Sequence, residues 1–125
     1  MKGEISIYVG AALPFIWGVA HLFPTGSIIR GFGEISADNR RIIAMEWIIE
    51  GIALIFIGTL VAIVTVIEPV NILATTVYVS SSACLMVLAA VSLFTGYQIR
   101  FLPFRLCPYI FTTSAALILA GWRML

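Results

Sequence analysis

Charge is scarce in this chain: only 10% of its 125 residues are Asp, Glu, Lys or Arg, beside a single histidine and two cysteines. An ordinary soluble domain carries about 25% charged residues, so a conventional water-facing surface is excluded. With a formal net charge of +1 and no nucleic-acid-binding motif, no nucleic-acid partner is expected. Also missing are a glycine-rich phosphate loop, a paired-cysteine redox motif, a serine–base elbow and a cysteine-based haem attachment motif. Nothing in the sequence specifies a cofactor. Cys84 falls near the middle of one apolar run and Cys107 at the start of the next. Their depths then differ by more than about 10 Å at the rise of a helix, too far for a disulfide. Internal repeats, Gly/Ser linkers and low-complexity tracts are lacking as well, so a single membrane domain over residues 1–125 is expected.

What is present is apolar: 62% of the residues are hydrophobic, against about 45–50% in soluble domains. Four runs, residues 5–23, 42–67, 72–94 and 106–122, are long enough for a hydrocarbon core of roughly 30 Å, which needs about 17–25 residues of helix. Lipid leaves such runs no backbone solution except a helix, because barrel strands would alternate in polarity. The fold class expected is therefore an all-α integral membrane protein, a four-transmembrane-helix antiparallel bundle. No small-residue cleavage pattern follows the first run at "VAHLFPT", so that run is expected to remain as a helix rather than act as a secretory signal.

The connections sort by charge. One side holds Lys2, Arg123 and the "EPVN" turn at 68–71, and the other holds Arg30, Arg40, Arg41, Arg100 and Arg105. The positive-inside bias then places the arginine-rich loops in the cytoplasm and both termini outside it. Arg40, Arg41, Arg100 and Arg105 are the expected contacts for anionic headgroups. Segment 24–41, "PTGSIIRGFGEISADNRR", is the one sizeable polar connection. Its Ile28, Ile29, Phe32 and Ile35 suit an interfacial loop, with Ser36 or Asp38 capping the helix that follows.

Inside the second run stand two carboxylates, Glu46 and Glu50, in "AMEWIIEG". Their four-residue spacing puts them on one helix face, with Asn39 and Ile43 before them and Ala53 and Ile57 beyond. On the first helix Gly10, Pro14, Gly18 and His21 share a stripe whose small residues allow close approach of another backbone. Counted at about 1.5 Å per residue from the arginine-rich side, His21 is about 3 Å deep, Glu46 about 6 Å and Glu50 about 12 Å. His21 and Glu46 are thus expected as level neighbours. Glu50 should lie deeper, level with Trp17, Ser81, Ser82, Thr112 and Thr113, while Tyr109 falls near Glu46.

The expected ligand-binding set is His21, Glu46, Glu50, Trp17, Tyr109, Ser81 and Thr112, opening toward the arginines. An acid at the centre of a span costs roughly 2.5–3.5 kcal/mol on insertion scales, and two a turn apart in low dielectric should not both be ionised. Such a group suits a small lipophilic or cationic ligand, or a proton. Membrane lipids and a second copy of the chain are the other partners expected. Two alternatives use or absorb the same residues. One is acid–base chemistry on a lipid-soluble substrate, such as isomerisation, with Glu50, Glu46 and His21 catalytic. The other is a structural subunit in which the cluster fixes helix register. One histidine with two carboxylates is also a metal-ligand type, but no second histidine or cysteine stands at ligand spacing, and no metal site is assigned.

In size and hydropathy the chain resembles the small four-helix bacterial membrane proteins of the DoxX-like group. The small multidrug transporters share four helices and a membrane glutamate, but carry it in their first helix, where this chain offers His21 instead. Sterol isomerase-like bundles are similar in residue type, with membrane histidine and glutamates matching His21, Glu46 and Glu50, and that likeness implies the acid–base alternative.

Overall fold

Each apolar run closes its own backbone hydrogen bonds as a helix, and polar caps decide where the helices stop. The computed structural model describes residues 1–125 as five helices: α1 (Lys2–Leu22), α2 (Thr25–Gly31), α3 (Ala37–Ile67), α4 (Ile72–Thr95) and α5 (Leu102–Arg123). All but α2 are long and apolar enough to cross a membrane. The bundle is therefore the four-helix antiparallel membrane architecture that the hydropathy predicts. Helix α3 starts at Ala37, ahead of the apolar run, because the Ser36 side chain accepts from the Asn39 N–H. Asn71 does the same for Ala74 at the start of α4, and its amide donates to Glu68 across the turn. Between α1 and α3 the polar segment is not all loop, since Thr25–Gly31 forms a short helix with Ile28 and Ile29 partly buried.

Helix α1 packs between α3 and α5, α5 carries α4 on its other side, and α3 meets α4 over a smaller area to close the ring. The distribution of residues is that of a chain whose solvent is lipid. Ile16, Phe56 and Val87 are exposed on the outside, while Ser82, Ser114 and Thr65 are buried within. Small residues bring the backbones together, which van der Waals packing in lipid requires. A methyl group added at Gly18 would lie 2.5 Å from the Gly51 carbonyl oxygen, and one at Gly58 equally close to that of Ala11. Those two contacts fix the α1–α3 register. On the other face of α1, Gly3 and Gly121 meet in the same way.

Hydrogen bonds pin the seams. Ser6 Oγ donates to the Leu117 carbonyl at 2.8 Å and Ser114 Oγ to that of Gly10 at 2.7 Å, joining α1 to α5. Trp122 Nε1 donates to Thr75 Oγ1 at 3.2 Å between α5 and α4. Between α3 and α4 there is one such bond, Thr65 Oγ1 to Tyr78 Oη at 2.9 Å, close to the 68–71 turn. Toward the arginine-rich end that seam is open instead.

Candidate functional site

The α1–α3 register decides what surrounds the histidine. With Gly18 against Gly51, His21 comes level with residues 47–50, one turn deeper along α3 than depth counting from residue 42 gives. His21 therefore meets Glu50 rather than Glu46, its Nε2 lying 3.7 Å from Glu50 Oε1. Trp47, on the buried stripe of α3 with Gly51 and Leu54, stacks on the imidazole with ring centroids 4.4 Å apart and planes 24° apart. Trp17 closes the other side edge-on at 5.9 Å. The Trp47 Nε1–H donates to the His21 carbonyl, one of the last carbonyls of α1 that has no partner within the helix. Trp47 is thus a buried packing residue, not the interfacial aromatic its position near the helix start suggests.

The protonation of His21 follows from its partners. Nδ1 lies 3.1 Å from the Trp17 carbonyl oxygen, which can only accept, so Nδ1 carries hydrogen and Nε2 is the atom that faces the carboxylate. The imidazole is 5% exposed, the Glu50 side chain 41%. Glu50 therefore has one side on the buried ring and another on open space.

That space is a lateral cleft. A cavity of about 450 Å³ is lined by twelve residues from α2, α3, α4 and α5 together with Phe32, ten of them hydrophobic. Glu46 and Glu50 are the polar two. Phe32, Trp47 and Phe104 are the aromatic members of the lining, and residues such as Ile43 and Leu88 the aliphatic ones. A second cavity of about 250 Å³ between Glu50, the end of α4 and α5 shares Glu50, Leu88 and Phe104 with the first and adds Ser92, Thr95 and Cys107. On the far side of His21 a pocket of about 130 Å³ is walled by Trp17, Trp47, Phe101 and Pro103. No arginine or lysine lines any of the three.

The expected ligand set separates into three groups. His21, Glu50 and Glu46 come together, Glu46 as an exposed residue at the cleft wall, and Trp17 packs on His21 while donating to Cys107 Sγ at 3.4 Å. Ser81 is buried in the bundle but lines neither cavity beside Glu50. Tyr109 and Thr112 point outward, Tyr109 being 60% exposed. Their depth is right and their rotation wrong, because α5 turns Cys107, Phe111, Ser114, Ile118 and Gly121 into the bundle, which leaves positions 109 and 112 on the opposite face. Phe104, Leu88 and Phe32 are wall residues that spacing alone does not single out. No group of three His, Cys, Asp or Glu side chains is placed to hold a metal ion.

Arg30, Arg40, Arg41, Arg100 and Arg105 are all exposed at the same end of the bundle. Arg41 lies 3.6 Å from Asp38, and Arg105 covers the Tyr97 ring at 5.2 Å. Tyr97 is in the loop outside the spans. A hydrogen bond from the Tyr109 hydroxyl, 3.4 Å away, and the Arg105 guanidinium hold its ionisation below the usual tyrosine range.

The chain matches no protein-family model, no curated protein and no solved structure. Its class is defined by its geometry: a bundle of four membrane-length helices with a carboxylate-lined lateral cleft backed by a buried histidine.

Proposed function

We propose that the cleft beside α3 binds a small lipophilic organic cation, with Glu50 as its counter-charge and Glu46 as a second carboxylate at the mouth. The observation that carries this reading is the lining of the larger cavity, where the two acids are the only polar residues among twelve. Ligand sites are mostly apolar with a few placed polar groups, and here those groups are all of one sign. An anion would meet two carboxylates with no compensating base. A cation gains their charge and contact with the aromatic members of the lining, a cation–π contact being worth about 0.5–2 kcal/mol. The structural alternative is disfavoured by position, since neither acid joins one spanning helix to another except through the His21 contact, and Glu46 makes no ion pair.

For orientation, the same reading puts the arginine-rich end on the cytoplasmic side, with Arg40, Arg41, Arg100 and Arg105 among anionic headgroups. Cysteine labelling at Ser27→Cys, in a background with Cys84 and Cys107 replaced by serine, tests this: a membrane-impermeant maleimide should react only after the membrane is opened.

Binding is tested with tetraphenylphosphonium, followed by tryptophan fluorescence of the protein in dodecyl maltoside micelles. Saturable quenching that is lost in Glu50→Gln supports the reading. No saturable binding, or equal binding by Glu50→Gln, contradicts it. Native mass spectrometry of the protein released from gentle detergent adds an independent readout, in which a retained cationic amphiphile is the expected adduct.

A further inference from the structure

Resting on the reading of the cleft as a cation site, we infer that the His21–Glu50 pair holds one proton when the cleft is empty and exchanges that proton for the bound cation. The inference starts from a geometric constraint. Because the Trp17 carbonyl takes the hydrogen on Nδ1, the atoms that face each other across 3.7 Å are Nε2 of His21 and Oε1 of Glu50. Without a proton these would be a lone pair opposed to a carboxylate. With one proton the pair is either imidazolium and carboxylate or imidazole and carboxylic acid, and both forms are neutral overall. A pair with no net charge, its imidazole buried and its carboxylate against an apolar-lined cleft, is what such a site tolerates.

Other ionisable groups do not supply the balance. On α3, Glu46 is exposed at the mouth of the cleft, where solvent screens it. On α5 the nearest titratable group is the Cys107 thiol, which lines the smaller cavity. The α4 wall contributes only the Ser92 and Thr95 hydroxyls, and α1 offers nothing ionisable there besides His21. On α2, Arg30 is exposed and donates to Ser27 at 3.0 Å.

A cation that reaches the open side of Glu50 would add an uncompensated charge if the proton stayed. The proton therefore leaves from Nε2 or Oε1 to water at the cleft mouth beside Glu46, and the cation takes its place next to the carboxylate. His21 is left as neutral imidazole, the carboxylate and the cation balance, and the total charge of the site is unchanged.

The test uses the intact protein in weakly buffered dodecyl maltoside with a pH-indicating dye, titrated with tetraphenylphosphonium, which has no proton of its own. The expected result is about one proton released per cation bound, with the dissociation constant rising about tenfold per unit of falling pH on the acid side. Glu46→Gln should weaken cation binding yet still release the proton, and Glu50→Gln should abolish the release. Saturable binding without proton release, with an affinity independent of pH, overturns the exchange and leaves the cation site standing. Release that disappears in Glu46→Gln but survives in Glu50→Gln also overturns it, because the proton would then belong to the other acid. Absence of binding removes both readings.

Discussion

The two ends of the bundle treat polar side chains differently. Near the 68–71 turn and the termini, polar groups bridge helices: Thr65 bonds Tyr78, Trp122 bonds Thr75 and Ser6 bonds the Leu117 carbonyl. At the arginine-rich end, Glu46 and Glu50 are left against an apolar cleft of about 450 Å³, and the one ion pair Glu50 makes is with the histidine behind it. Interhelical hydrogen bonds in lipid are worth about 0.6 kcal/mol on average, so the first end gains modest stability from short, neutral groups. Two carboxylates are a more costly choice than the hydroxyls that serve the same purpose at the other end. Their placement makes sense where charge is wanted for something that arrives from outside the bundle.

That contrast can be broken most severely at the register contact. Gly18→Val places carbon where the Gly51 carbonyl stands, at 2.5 Å for the first added atom, and backbone cannot yield as a flexible side chain does. We expect loss of the folded bundle, or destabilisation of about 3 kcal/mol, the upper end of what overpacking costs, read as an early-melting or aggregated species by size-exclusion chromatography and thermal denaturation. Milder effects should follow at Trp47→Phe. The ring over His21 remains, but the His21 carbonyl loses its indole donor, for a stability loss of about 1 kcal/mol. Cation affinity should fall by no more than about threefold, because phenylalanine is a weaker cation–π partner than tryptophan and the Trp47 ring is mostly buried against His21.

At the opposite end Tyr78→Phe removes the hydroxyl that meets Thr65. Thr65 keeps its bond to the Val61 carbonyl, so the expected loss is only about 0.6 kcal/mol, with cation binding unchanged. The smallest effect concerns the exposed loop. Because the Tyr109 hydroxyl and Arg105 favour the ionised form of Tyr97, Tyr109→Phe or Arg105→Gln should move the Tyr97 midpoint upward in an ultraviolet tyrosinate titration, with no change in binding.

Much of this arrangement is legible in the sequence. Four apolar runs and the "EPVN" turn at 68–71 give the helices, and the four-residue spacing of Glu46 and Glu50 gives the stripe that becomes the cleft wall. The level of His21 is less legible, because it depends on where α1 and α3 touch. That is set by Gly18 and Gly51, which look like any small residues until their partners are known. Rotation of a helix about its own axis is the other hidden variable. Tyr109 and Thr112 have the right depth, yet Cys107, Phe111 and Ser114 win the interior of α5. The walls supplied by Phe104, Leu88 and Phe32 come from three different elements, and no local pattern announces that these will converge.

The central claim is that Glu50 is held for a ligand rather than for the bundle. Melting temperature and tetraphenylphosphonium binding of Glu50→Gln, measured side by side with the unmodified protein, test it most directly. The account predicts a folded variant that melts within a shift equivalent to about 1 kcal/mol and binds the cation at least about tenfold more weakly, a loss of about 1.4 kcal/mol. A variant that unfolds early, or one that stays folded and binds the cation as tightly as before, would contradict it.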